Sequence, residues 1–182
     1  MDTYCSYIRS HPEDRFNKSY HDTQYGFPLS DDNLLFERLV LEINHAGLSW
    51  ITILKKADNF RRAYDQFDLA RVAAYEEADR ARLLADAGII RNRLKVNAAI
   101  VNARKILELQ VEFGSFKNWL DAHHPRPKDE WVKLFKRTFV FTGGEIVNEF
   151  LMSTGYFAGA HEADCPIYKI IKTQNPPWAI IK

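Results

Sequence analysis

The run Leu41-Glu42-Ile43-Asn44-His45-Ala46-Gly47-Leu48-Ser49-Trp50 closes one helix and opens the next, and the fold turns on it. From Leu34 to Ala46, the residues Leu35, Phe36, Leu39, Ile43 and Ala46 recur at helical spacing and make one apolar stripe, with Glu42 beside the stripe rather than opposite it. Gly47 is a natural stop, and Ser49 stands where an N-cap is needed for a helix opening at Trp50. An ionised carboxylate next to a buried face is unfavourable unless something compensates it. Three compensations are open: a Lys or Arg partner, a raised pKa, or a ligand that brings its own positive charge.

Outward from this stretch the pattern stays helical. Ser30-Asp31-Asp32 supplies a cap and an acidic first turn upstream, and residues 1–29, rich in Tyr, Phe, Pro and Gly, predict short helical turns and loops packed on a core. Downstream, helices are predicted from Trp50 to about Phe67, from Leu69 to Tyr75, from Glu77 to Asp86 and from Arg93 to Phe113. Three more follow, Phe116 to Ala122, Lys128 to Arg137 and Gly144 to Ser153. Only Thr138 to Thr142 has strand-like composition, without a partner strand. The expected architecture is all-α, with one domain over residues 1–172 and a C-terminal tail over 173–182. The tail breaks at Pro176-Pro177, beyond which Trp178, Ile180 and Ile181 are candidates to dock.

With 182 residues, 46% of them hydrophobic, the chain can bury one good core. Its 25 basic and 24 acidic residues leave a net charge of +1, so any polyanion site must be local. No basic leader or apolar run of membrane-spanning length is present, and a cytoplasmic location and a monomer are expected. Covalent catalysis finds no support: there is no Gly-x-Ser-x-Gly elbow, no phosphate-binding Gly-rich loop with Lys, and no Cys/His pair in a protease context.

Three features could carry chemistry. Leu83 to Lys95 spells a helix, a tight apolar turn at Gly88-Ile89-Ile90, and a second helix opening among Arg91, Arg93 and Lys95. Such a hairpin presents backbone amides and a helix N-terminus to a phosphate, although helical corners with Gly also occur with no ligand. Cys5 and His21 near one end and His161 and Cys165 near the other form a closed two-Cys, two-His set suited to a structural Zn2+; free thiols beside surface histidines are the alternative. His45 lies at the edge of the apolar stripe, facing either a cleft or solvent. The pair His123-His124, before prolines, fits a surface loop.

These strings resemble the type I 3-methyladenine DNA glycosylases, all-α members of the helix-hairpin-helix DNA glycosylase superfamily. The resemblance rests on Tyr20-His21-Asp22, Tyr25-Gly26-Phe27-Pro28, Leu34 to Glu42, Ala46-Gly47-Leu48-Ser49-Trp50-Ile51, Leu54-Lys55-Lys56, Phe67-Asp68, Asp86-Ala87-Gly88-Ile89-Ile90-Arg91 and Asn102-Ala103-Arg104, and covers roughly residues 4 to 168. It implies a compact glycosylase-like bundle whose N- and C-terminal segments are joined by zinc on Cys5, His21, His161 and Cys165. It further implies that Glu42 is the catalytic acid that reads the base, in a pocket with Tyr20, Tyr25, Trp50 and His45. Gly47 and Leu48 would lie near the gap left by a flipped base, and Gly88, Ile89, Ile90, Arg91, Arg93 and Lys95 would grip double-stranded DNA. The implied activity is hydrolysis of the N-glycosidic bond of 3-methyladenine in alkylated DNA, releasing the free base. Tyr7 and Tyr25 stand where the family usually has Trp, and Ile43-Asn44-His45 where it has a Gly and one or two Gln. A DNA-binding paralogue with altered specificity or no catalysis is therefore the competing expectation.

Overall fold

Capping side chains set where most helices of this chain begin. In the computed structural model, which describes residues 3–180, the helices are α1 (Tyr4–Ser10), α2 (Arg15–Thr23), α3 (Asp32–His45), α4 (Trp50–Ala63), α5 (Leu69–Ala73), α6 (Glu77–Ala85), α7 (Arg93–Phe113), α8 (Phe116–His123), α9 (Lys128–Thr138), α10 (Gly144–Ser153) and α11 (Pro166–Thr173). Thr3, Asp14, Asp31, Asp68, Asn92 and Ser115 each accept a first-turn amide, so α1, α2, α3, α5, α7 and α8 start with a donor satisfied. Ser49 holds the N-cap position of α4 but turns its hydroxyl to Thr52 Oγ1, 2.7 Å away, instead of to the backbone.

The expectation of an all-α fold holds, with no strand among the described residues. Helix α3 is the axis: Leu35, Phe36 and Leu39 are fully buried, and α4, α7, α8 and α10 pack around it. Helix α5 lies along α7, and Phe116, Trp119, Phe135, Phe139 and Phe150 form an aromatic layer beneath α8, α9 and α10.

Four local features add detail to that expectation. Helix α4 stops at Ala63, because Asp65, Gln66 and Phe67 take left-handed φ values of 50°, 58° and 57° in a 3-10 turn that swings Phe67 into the core. Thr138 to Thr142 is not a strand. Thr138 ends α9, and the backbone of Val140 is paired instead by the buried side chain of Asn102, whose Oδ1 accepts from Val140 N at 2.9 Å and whose Nδ2 donates to Val140 O at 3.1 Å. Helix α11, which the apolar periodicity did not announce, opens on Pro166, whose missing N–H costs nothing at that position. In the tail, Trp178 stacks on Tyr168 at 5.8 Å and donates its amide to Gly155 O; Ile181 lies outside the described residues.

Candidate functional site

The end of α3 and the start of α4 form one wall of a cavity of about 230 Å3. Glu42 and His45 come from α3, Trp50 from the first position of α4, Asn17 and Tyr20 from α2, Tyr25 from the loop after it, Tyr4 from α1 and Glu149 from α10. The volume is below the roughly 300–1,000 Å3 of pockets for drug-sized ligands and suits a single planar ring system. Tyr20 meets Trp50 at 5.0 Å and Tyr25 at 5.7 Å, and Tyr4 stands edge-on to Tyr25 at 5.3 Å. The Tyr20 hydroxyl and Trp50 Nε1 are buried with no hydrogen-bond partner.

Glu42 is 4% exposed. Among the described residues no group donates a hydrogen bond to it, and its one ion-pair contact is His45 Nδ1 at 3.6 Å. The structural ion pair left open by the sequence is thus not made with an arginine. Arg38, one turn earlier, spends its guanidinium on Ser153 O at 3.1 Å and on the face of Tyr20, 5.0 Å away. Burial pushes the Glu42 carboxyl above the usual carboxylate range and Glu149 adds to the shift, while His45 and Arg38 oppose it. His45 also packs its ring against Trp50 at 5.1 Å, so it faces the cleft.

The turn between α3 and α4 follows from Gly47, whose φ of +81° lets the chain leave the helix where a Cβ would be strained. Its Cβ position is open space and Leu48 beside it is exposed, so this corner projects outward next to the pocket mouth.

At the corner between α6 and α7, Gly88 and Ile89 use their amides internally, on Asp86 Oδ1 at 2.7 Å and Asp86 O at 3.4 Å. The amides of Ile90 and Arg91 have no partner among the described residues, and Arg91 and Arg93 are exposed with no ion pair. Lys56 Nζ ties the turn to α4 through Ala87 O and Gly88 O. One expected member of this surface, Lys95, is corrected. Lys95 is 5% exposed, and its ammonium donates to Asn44 O at 2.9 Å and Ala46 O at 2.6 Å, where it satisfies the last carbonyls of α3. Ile89 turns its side chain into the core. The Lys95 ammonium is thus engaged by protein carbonyls rather than offered to a phosphate.

Cys5, His21, His161 and Cys165 are all buried, with their ligand atoms within 4.8 Å of one another. The sulfur–nitrogen edges are 3.3, 3.6, 3.7 and 4.0 Å. Bonds of about 2.3 Å to sulfur and 2.0–2.1 Å to nitrogen at tetrahedral angles give edges of about 3.5 Å, so the four atoms could hold one such ion. The outer ring nitrogens are oriented too: His21 Nδ1 faces Asp22 Oδ1 at 2.7 Å and His161 Nε2 donates to Tyr25 O at 2.7 Å.

Tyr4, Asn17 and Glu149 line the pocket without having been singled out from the sequence. Glu149 carries a weak signal, an acid between the buried Val147 and Phe150 on α10. Tyr4 and Asn17 are placed by tertiary packing alone, joined by Tyr4 Oη donating to Asn17 Oδ1 at 2.9 Å.

An all-helical bundle with a buried acid lining a small aromatic cavity could hold a planar ring of positive charge, and comparison with known proteins narrows its class. The sequence profile of the methyladenine glycosylases matches residues 10–132. The chain is 37% identical to DNA-3-methyladenine glycosylase 1 of Escherichia coli over 169 residues, covering 82% of this chain and 90% of that one. It is 32% identical to DNA-3-methyladenine glycosylase of Haemophilus influenzae, covering 91% and 98%. The 3-methyladenine DNA glycosylase I of Staphylococcus aureus, solved to explain 3-methyladenine recognition, superposes with a TM-score of 0.78 at 32% identity, over 85% of this chain and 92% of that one. A Tyr-to-Phe variant of a 3-methyladenine DNA glycosylase I in complex with 3-methyladenine gives 0.79 at the same identity, over 85% and 93%. The chain belongs to the methyladenine glycosylase family.

Proposed function

We propose that this protein is a DNA-3-methyladenine glycosylase that hydrolyses the N-glycosidic bond of 3-methyladenine in alkylated DNA. Family membership supports the activity. The observation that carries the site assignment is Glu42, a buried acid whose one polar partner is His45 at 3.6 Å, at the wall of an aromatic cavity. Methylation at N3 gives the base a full positive charge and weakens the bond to the sugar. The base leaves with the bonding electron pair as neutral 3-methyladenine, and no general acid is required. Water adds to the sugar carbon left behind and yields an abasic site; no lysine nucleophile takes part.

The chain's own residues then flip, read and hold. Extruding the nucleotide is the enzyme's main work. Tyr20, Tyr25 and Trp50 offer faces to a cationic ring, and Glu42 supplies the opposite charge. Gly47 and Leu48 approach the space vacated in the duplex. The free amides of Ile90 and Arg91, with the side chains of Arg91 and Arg93, grip the phosphates. Zn2+ on Cys5, His21, His161 and Cys165 would be closed by four protein ligands, leaving no position for water, and so joins α1, α2 and the start of α11 structurally.

Release of 3-methyladenine from alkylated DNA, scored for wild type and Glu42→Gln, tests the proposal. Release by the wild type and a loss of at least about 100-fold in the variant are expected, in the range seen when a key electrostatic contact is removed. Undetectable release by folded wild type would favour the paralogue, for which the contact of His45 with Glu42 is the supporting feature.

A further inference from the structure

The cavity holds a second acid that the mechanism above does not use. Glu149 Oε2 accepts the Tyr25 hydroxyl at 3.2 Å, and its Oε1 accepts the Asn148 side-chain amide at 3.1 Å. Both donors are neutral, and among the described residues no cation lies within ion-pair distance of Glu149. Burial and the adjacent Glu149 charge keep Tyr25 protonated, so its hydroxyl is a donor, shared between the Glu149 carboxylate and Met152 Sδ, each at 3.2 Å. Two carboxylates with little compensation therefore border one small aromatic space. The basic side chains facing them are His45, half-buried beside Glu42, and Arg38, which lies behind the Tyr20 ring and is engaged with Ser153 O.

A neutral base entering this space would leave the two acids repelling each other and strip water from both. A base with a full positive charge would be attracted by both at once, and in a desolvated site such terms are felt strongly. We propose that Glu149 is a second specificity-determining acid of the base pocket, which together with Glu42 selects a formally cationic purine over a neutral one of the same shape. The inference rests on the glycosylase reading and deepens it. Glu42 supplies the deep charge, while Glu149, anchored through Tyr25, supplies a charge on a different helix, so the cation is held between two elements.

The test compares two probes by calorimetric titration at pH 8. One is 3,9-dimethyladeninium, a permanent cation that mimics the base while it is still attached to sugar; the other is free 3-methyladenine, neutral at that pH. Wild type should favour the cation. Glu149→Gln keeps the size and an acceptor for Tyr25 and should weaken the cation about ten-fold or more, the worth of one charged contact, while leaving the neutral base no weaker and relieving part of its penalty. Glu149→Ala, which introduces no new polar group, should do the same and covers a failure of the Gln variant to fold. Equal weakening of both probes, or no change in either, overturns the role of Glu149. Excision of 3-methyladenine from alkylated DNA by the wild type is measured alongside. Excision without any charge discrimination by Glu149 sinks this inference alone, whereas no excision sinks the glycosylase reading.

Discussion

Tyr20 and His21 are neighbours on α2, yet they serve two regions built on opposite terms. Tyr20 faces the cavity, where its hydroxyl and Trp50 Nε1 are buried without hydrogen bonds and the Glu42 carboxylate has only the long contact with His45 at 3.6 Å. His21 faces the four-ligand cage, where the outer nitrogen of each histidine has a carboxylate or a carbonyl within 2.7 Å. Buried polar groups are normally satisfied, so the cage is complete as protein architecture while the cavity is poised for something to arrive. An orphan atom alone does not make this distinction, because Trp131 Nε1 is equally unpartnered but sits among the rings of Trp119, Phe135 and Tyr156, away from this cavity's lining. The orphan must border open space.

The contrast predicts opposite outcomes when each region is disturbed. The largest effect is on catalysis: Glu42→Gln should cut 3-methyladenine release at least about 100-fold in a single-turnover assay. Next comes the cage. Cys5→Ser or removal of bound zinc by a chelator should lower the melting temperature by about 10 °C or more, since several kcal/mol of folding energy reside in such sites and each kcal/mol shifts a domain of this size by about 2–4 °C. A cage variant that melts like the wild type would erase the difference between the two regions.

A smaller effect is expected at the phosphate-facing corner. Arg91→Ala with Arg93→Ala should flatten the slope of log affinity against log salt by about 2, measured by fluorescence anisotropy on undamaged duplex. Lys95→Met should leave that slope unchanged and lower stability by about 1–3 kcal/mol in urea unfolding, because two carbonyls lose their donor.

The smallest effect has the most diagnostic sign. The folded-state pKa of Glu42 is raised, so its protonated form favours the fold; that contribution is present below the unfolded pKa and is lost as pH rises through the folded value. At neutral pH, Glu42→Gln should therefore stabilise the free protein by about 1 kcal/mol while abolishing activity, the usual trade at a site built for a ligand. In the wild type, excision should fail on the acid side at a pH above the ordinary carboxylate value of 4.5, because a neutral Glu42 no longer answers the charge of the base. A destabilised Glu42→Gln protein would place the pocket on the same footing as the cage.

Much of this was legible in the sequence, for local reasons. Capping residues and 3.6-residue periodicity are encoded within a few positions, so α3, α7 and α10 fall close to their expected limits. Glu42 could be singled out because a charge beside an apolar stripe contradicts its surroundings. Cys5, His21, His161 and Cys165 were marked by their chemistry, and the structure brings them together. What escaped depends on long-range packing. Lys95 looked like a surface cation because it follows Arg91 and Arg93, and only the arrival of the α3 carbonyls from 49 and 51 residues away makes its burial favourable. Glu149 needed Tyr25, 124 residues distant, to fix it at the pocket. The segment Thr138 to Thr142 resembled a strand in composition alone; Thr138 ends α9, and the Val140 backbone is paired by the Asn102 side chain.

Lys95 has a further consequence for how the protein handles DNA. Its stem rises from the first turn of α7, next to the phosphate-facing corner, and its ammonium is fastened to Asn44 O and Ala46 O at the very end of α3, one residue before Gly47. The corner proposed to grip the backbone and the turn proposed to probe the stack are thereby tied to one another, like the two points of a caliper. A protein travelling along a duplex with such a fixed gauge samples the same offset at every step, and an alkylated base declares itself by yielding where its neighbours do not.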